Sequence, residues 1–251
     1  MEFDAWLNSS FGRRCVELER EVIRGVFEQI FGEQLLQIGI WGERDAFLPY
    51  ARTQRAAIVG CRGSGSDLNG SDLTGADLVS DFERLSIASD SVDAVFLPHT
   101  LERSSSAHAV LREAARVLRA DGHLVVLGFR PGGPWGLRHL FAAGGYPPGS
   151  LRLIRDGRLS DWLELLSFDV GKKSGYCHVP PFERIARVTG FPREAWARKW
   201  LPLSAAAYLL VARKQVARLT PLKPVWRRAR LRAVQGLVKP TAGASRTRQA
   251  G

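Results

Sequence analysis

The side chains best suited to chemistry stand directly after apolar runs that predict strands. His99 follows the run Val92–Leu97 and the strand-ending Pro98. A neutral imidazole there could take a proton from an oxygen or nitrogen nucleophile near pH 7. A packed or hydrogen-bonded histidine with a structural role is the alternative. His178, in the segment 176–182, could line the mouth of a substrate site.

Further candidates follow from one rule: ligands of open α/β sheets bind beyond the carboxyl ends of the strands. The rule selects four stretches, Gly39–Glu43, Asp77–Leu78, Pro98–His99 and Phe129–Trp135. Trp135 and Phe141 could floor a substrate pocket, although aromatics in a Gly/Pro loop are more often pieces of local core. The sequence shows no paired carboxylates, no Ser-His-Asp set and no metal-ligand triad, so we expect no metal site.

These positions need a sheet to hold them, and alternating strand and helix patterns predict one. Apolar periodicity predicts helices over 12–31, behind the Ser104–Ser106 cluster and over 159–166, and a polar helix of roughly three turns could fill 43–54. Apolar runs predict strands at 35–40, 57–59, 92–97, 124–129, 168–170 and 207–212. The order from 92 to 129 is a βαβ unit with parallel strands. The pattern predicts an α/β, doubly wound sheet over about residues 30–212.

Charge is unevenly distributed along the 251 residues. The formal net charge is +11, and 11 of the 36 lysines and arginines lie in 213–251, where there is no acidic residue. The other 25 basic residues balance all 25 acidic ones over 1–212, which argues against a basic nucleic-acid groove through the folded body. Residues 226–238 could form a short basic helix that touches RNA or an anionic membrane surface. A solvated, mostly disordered appendage is the alternative.

The cysteines and the N-terminus indicate the compartment. Cys15, Cys61 and Cys177 lie far apart, with neither a CxxC pair nor zinc-ligand spacing, which argues against a disulfide scaffold or a zinc module. Residues 1–4 carry early acids, and no stretch approaches the length of a membrane span. We therefore expect neither a signal peptide nor a transmembrane segment, and a cytoplasmic protein.

Four segments in order carry a resemblance to a known family: Leu35–Gly39, Ala76–Leu78 with Leu85–Asp93, Leu111–Leu124, and Tyr208–Lys214. They are placed like the first strand and its glycine-rich turn, the "acidic residue, then L-P-F-x-D-x-S-F-D" stretch, the helix leading into the fifth strand, and the final strand. In this the chain resembles an uncharacterised bacterial branch of the type 11 group of class I S-adenosylmethionine-dependent methyltransferases. The resemblance implies a mostly parallel, Rossmann-like sheet of seven strands with helices on both faces.

The resemblance also implies a cofactor, S-adenosyl-L-methionine, and residues that contact it. Those residues are Gln37, Gly39, Trp41, Asp77, Leu78 and Pro98, with His99 as the catalytic residue. Asp77 would accept a hydrogen bond from the adenine amino group. Gln37 stands where the family has an acid, and its amide oxygen could accept from the cofactor's ammonium or cap a neighbouring loop.

Two departures from the family pattern weaken the glycine-rich motif. Trp41 and Glu43 stand at the later glycine positions, so Trp41 should narrow the methionine end of the pocket. The acid that would hold the ribose hydroxyls after the second strand is also missing, because Val59–Arg62 follows there.

Two functions follow as expectations. The first is a methyltransferase that acts on an unidentified acceptor. The alternative, favoured by both departures, is a catalytically inactive methyltransferase-like binding module that contacts RNA or a membrane surface through its basic tail. We expect an N-terminal helical segment over 1–32, a methyltransferase-like domain over 33–214 with an insertion at about 175–204, and a flexible basic tail over 215–251.

Overall fold

The computed structural model describes residues 3–61, 75–142, 145–178, 181 and 205–215. Seven strands form one sheet: β1 Phe31–Ile38, β2 Arg52–Gly60, β3 Leu78–Val79, β4 Val92–Pro98, β5 Leu118–Phe129, β6 Phe168–Tyr176 and β7 Ala207–Lys214. The helices are α1 Phe3–Leu7, α2 Ser10–Phe27, α3 Thr100–Arg103, α4 Ala107–Val117, α5 Gly133–Phe141 and α6 Asp156–Leu165.

The sheet has the strand order β3-β2-β1-β4-β5-β7-β6. Neighbouring strands are parallel from β3 to β5, and β7 runs antiparallel to both β5 and β6. The order reverses direction between β1 and β4, which is the point where open α/β sheets bind ligands. The predicted α/β, doubly wound, mostly parallel sheet is therefore confirmed.

Adjacent residues of the central strands face opposite sides of the sheet, and each side has its own hydrophobic core. Leu35 and Phe96 pack with α1 and α2 on one side. Leu36 and Val95 pack with α4 and α6 on the other. Because both faces are covered, the central strands read as continuous apolar runs rather than alternating ones. The N-terminal helices thus belong to the core of the sheet domain.

The βαβ unit forms as predicted. Ser106 is the N-cap of α4, and its side chain accepts a hydrogen bond from the Ala109 backbone N–H at 3.4 Å. The predicted helix over 12–31 ends earlier, at Phe27, because Phe31 already begins β1.

The predicted polar helix over 43–54 is wrong. Two short 3-10 turns, Arg44–Ala46 and Leu48–Tyr50, occupy its first part, and β2 begins at Arg52. Pro49 lies at the start of the second turn, where it cannot donate a helical hydrogen bond to the preceding residues. The following residues pair instead with the amino half of β1.

The Gly/Pro loop predicted to hold Trp135 and Phe141 is a helix instead, because α5 begins at Gly133. Of the two pocket aromatics suggested by the sequence, Trp135 lies in the core and Phe141 is 82 % exposed. Most of the insertion at 175–204 and the basic tail beyond Gln215 lie outside the described residues. Among the helices in the described ranges, none is long and apolar enough to cross a membrane.

Asp93 on β4 ties the start of β1 into the sheet. Its Oδ2 accepts hydrogen bonds from the backbone N–H groups of Glu33 and Gln34 at 2.8 and 2.9 Å. Its Oδ1 accepts from the Arg119 guanidinium at 2.9 Å. Partial burial tends to raise the pKa of Asp93, but these donors outweigh it and the pKa is lowered.

We expect Asp93→Ala to lower the free energy of unfolding by about 2–3 kcal/mol, because two backbone donors lose their acceptor. Urea denaturation followed by circular dichroism measures the change. Asp169→Ala, at an exposed position of β6, is the control and should stay within about 0.5 kcal/mol. Equal losses in the two variants would contradict a structural role for Asp93.

Candidate functional site

A cavity of about 720 Å³ lies beyond the carboxyl ends of β1, β2 and β4. It sits where the strand order reverses, and its volume is in the range of small-molecule sites, about 300–1,000 Å³. Its described lining comes from the turns after four strands and from the segment before α6: Gly39, Ile40, Cys61, Asp81, Phe82, Glu83, Pro98, Thr100, Arg103, Ser104, Ser105, Gly149 and Leu151. Gly39 and Pro98 are therefore brought together in one site.

The turn after β1 has a backbone that suits close approach of a ligand. Gly39 has φ +93, and a Cβ at this position would lie 2.8 Å from the Thr100 Oγ1. The Thr100 hydroxyl donates to the Ile38 carbonyl, which fixes the turn against α3. Only glycine satisfies both the conformation and the space.

Gln37 carries an acceptor without a donor. Its side chain is buried, and its Nε2 donates to the Gly39 carbonyl at 3.0 Å. Its Oε1 is also buried and has no hydrogen-bond partner among the described residues. Gln37 does not belong to the described lining of the cavity, but it is bonded to Gly39, which does. Because an unsatisfied buried acceptor is unfavourable, this oxygen fits a ligand that brings a donor to the turn.

Asp77 and Leu78 do not belong to the described lining of the cavity. The Asp77 Oδ2 accepts from the Ile58 backbone N–H at 2.9 Å, and its Oδ1 pairs with the Arg44 guanidinium. The hydrogen bond from Arg44, helped by that from Ile58, lowers the pKa of Asp77. Asp77 thus fastens β2 to the 3-10 turns. Its adenine contact remains a prediction.

The acid that does line the cavity after β3 is Asp81, together with Phe82 and Glu83. None of these three residues was predicted from the sequence. Asp81 stands four residues before Leu85, between the two parts of the family-like stretch, and this short spacing was the available signal. The Glu83 carboxylate accepts from the Ser106 backbone N–H at 2.9 Å, so it also holds the start of α4.

Beside the cavity lies a buried charge cluster formed by Glu19, His99 and Glu102, each about 1 % exposed. The His99 Nε2 lies 3.0 Å from a Glu19 oxygen, and its Nδ1 lies 3.2 Å from a Glu102 oxygen. The Trp41 indole N–H donates to the other Glu19 oxygen at 2.6 Å, and its ring centroid lies 4.2 Å from that of His99. Trp41 therefore turns into the core and does not belong to the described lining of the cavity.

The two carboxylates keep His99 protonated, so neither ring nitrogen can accept a proton. Burial alone would lower the pKa of His99, but the carboxylates of Glu102 and Glu19 raise it to about 9. At neutral pH the ring is an imidazolium that donates to both carboxylates. This geometry argues against the proton-accepting role that the sequence suggested for His99. His178 is also buried, and it does not belong to the described lining.

The cluster connects to the cavity walls through Glu102. Its Oε1 accepts from the Phe129 backbone N–H at the end of β5. Its backbone carbonyl accepts from the Leu151 N–H at 2.8 Å, and Leu151 lines the cavity. The buried charges thus position the segments that follow β4 and β5.

Comparisons with known proteins agree with this geometry. Residues 45–126 match the family model described as a methyltransferase domain. The uncharacterised protein YafS of Escherichia coli K12 is 35 % identical over 158 residues, which is 62 % of each chain. A SAM-dependent methyltransferase of Thermotoga maritima has a TM-score of 0.61 at 15 % identity, over 85 % of this chain and 95 % of that one. A SAM-dependent methyltransferase of Archaeoglobus fulgidus has a TM-score of 0.54 at 16 % identity, over 82 % and 100 %.

The chain thus has the class I methyltransferase fold, and the resemblance to the type 11 methyltransferases is confirmed. It spans about three fifths of the length of the curated relatives that it matches, 61–62 %.

We expect the charge of His99 to make folding stability depend on pH. Because the folded-state pKa of about 9 exceeds the ordinary 6.5, the stabilisation is complete below about pH 6.5 and is lost as the pH rises through 9. The free energy of unfolding should fall by about 3 kcal/mol across this window.

Urea denaturation at a series of pH values measures that fall. NMR of the labelled imidazoles tests its source, since His99 should keep its proton well above neutral pH. His123 is the internal comparison, because burial lowers its pKa. A His99 signal that titrates at or below pH 6.5 would show that the carboxylates do not hold the proton.

A second prediction concerns Trp41. Trp41→Phe removes the indole N–H and leaves a Glu19 oxygen without its donor, so unfolding should become easier by about 1.5–3 kcal/mol. Trp162→Phe, on the partly exposed side of α6, is the matched control and should change stability by less than about 1 kcal/mol. Thermal and urea melts provide the measurement. Unchanged stability in Trp41→Phe would contradict the bond to Glu19.

Proposed function

We propose that the protein is an S-adenosyl-L-methionine-dependent methyltransferase. The observation that carries the proposal is the cavity of about 720 Å³ at the reversal point of the sheet. The match of residues 45–126 to a methyltransferase domain supports the cofactor. Since fold alone does not define activity, the proposal depends on how well the lining residues suit this ligand.

The residues around the cavity suit a cofactor that carries an ammonium and a sulfonium. The unpartnered oxygen of Gln37 would accept from the ammonium beside the Gly39 turn. The carboxylates of Asp81 and Glu83 supply negative charge on the lining, opposite in sign to Arg103. Phe82 offers an apolar surface for the adenine ring.

Bound in this way, the cofactor would supply a methyl group activated by its sulfonium. The contribution of the protein would be positional: the turn after β1 and the segment after β4 would fix the ligand. Transfer of this kind depends mainly on alignment of the two reactants. Methyl transfer by alignment does not require His99 to act as a base, and both of its ring nitrogens are hydrogen-bonded to carboxylates. We assign no acceptor.

Calorimetric titration of the full chain with S-adenosylmethionine tests the proposal. Gln37→Leu removes the unpartnered oxygen at nearly constant size, and we expect it to weaken binding about tenfold to a hundredfold. Gln34→Leu, on the amino half of β1, is the matched control and should leave the affinity within about twofold.

No binding by the unaltered chain at millimolar cofactor would overturn the proposal and leave the inactive binding module in its place. Equal losses in the two glutamine variants would show that Gln37 does not contact the ligand.

A further inference from the structure

Helix α5 exposes a row of apolar side chains. Leu137, Leu140 and Phe141 are 58 %, 77 % and 82 % exposed. Residues three and four apart lie on one side of a helix, so these three form a continuous surface, named here the α5 face. The helix is fixed from the other side by Trp135, which is 1 % exposed and stacks on Phe129 with ring centroids 5.3 Å apart.

The exposed side of α2 has a different composition. Its most exposed positions include Arg13, Glu17, Glu21 and Arg24, as expected for a helix that faces water. Grouped apolar side chains on a helix whose opposite side is already packed indicate a surface that binds something.

The charge carried by α5 indicates what the α5 face binds. The helix carries Arg138 and no aspartate or glutamate, and Arg130, which precedes it, is paired with Asp156 at 3.0 Å. Arg138 lies within α5 itself, and its guanidinium lies 3.7 Å from the ring centroid of Tyr146. An apolar face on a helix that carries an arginine and no acid is complementary to an anionic lipid surface, which offers negative headgroups above an apolar layer.

We propose that the α5 face docks on an anionic lipid bilayer, with its three apolar side chains inserted at the boundary between headgroups and acyl chains. A second copy of the chain fits less well, because the same face of the partner would bring its own Arg138 towards this one. RNA fits less well too, since two of the three side chains are leucines and Phe141 alone offers a ring for base stacking.

Flotation of the full-length protein with lipid vesicles tests the proposal. We expect it to bind vesicles that contain phosphatidylglycerol and to bind pure phosphatidylcholine vesicles much more weakly. Leu140→Ser with Phe141→Ser should lower the apparent partition coefficient by at least about tenfold, because two inserted apolar side chains are lost.

The matched control is Phe31→Ser with Leu165→Ser. It removes the same two residue types from exposed positions elsewhere, 67 % and 84 % exposed, and should change vesicle binding by less than about twofold. The basic residues of 213–251 are intact in both double variants, so attraction of vesicles to them cannot produce a difference. Thermal melts should show both variants folded, since all four positions are exposed.

Three outcomes would overturn the proposal. The first is absence of vesicle binding, and the second is equal binding by the two double variants, which would place lipid attraction in basic residues alone. The third is self-association, measured by analytical ultracentrifugation, that only the α5 variant abolishes, in a protein that shows no preference for anionic vesicles. That result would assign the α5 face to a second copy of the chain. None of these readouts depends on cofactor binding, so the two proposals fail separately.

Discussion

Two carboxylates that share one imidazolium in the interior are the constraint on which the site depends. Glu19, His99 and Glu102 come from α2, the turn after β4 and α3. A single buried charge would be strongly destabilising, whereas here each carboxylate faces a cation and further donors. Removing His99 would leave two buried carboxylates without their cation, so the three segments are held in one arrangement. The arrangement requires a left-handed backbone at His99, with φ +53.

The same cluster accounts for the unusual turn after β1. A tryptophan in a glycine-rich turn would be expected to fill the ligand space, but Trp41 points into the core. It does so because Glu19, on a helix that precedes the sheet, accepts its N–H. Gly39, two residues before Trp41, has the positive φ of a tight turn, and the indole does not belong to the described lining of the cavity. The departure from the family pattern is therefore compensated by a residue far away in sequence.

Sequence patterns predicted what depends on local chemistry. The Ser106 cap, the unit from β4 to β5 and the doubly wound sheet follow from capping, periodicity and the handedness of crossovers. The region 43–54 could not be predicted in this way, because pairing with β1 decides its conformation. Glu19 falls among the recurring positions of the predicted helix over 12–31, but that periodicity assigns it no partner. Its role depends on His99, 80 residues away. The tertiary partner, rather than the local pattern, decides that role.

The connection from β5 to β6 contributes residues to three places: the hydrophobic core, the exposed α5 face and the cavity lining. Its Trp135 is buried in the core, its α5 face is exposed, and its Leu151 lines the cavity while remaining 66 % exposed. The Leu151 N–H is held by the backbone of Glu102, a member of the buried cluster. The segment that bears the proposed lipid contact is thus anchored to the same charges that shape the ligand cavity. Both proposals depend on this anchoring, because loosening the cluster of Glu19, His99 and Glu102 would disturb the cavity wall and α5 together. The exposed side chains of α5, by contrast, can be changed without affecting either the cluster or the cavity.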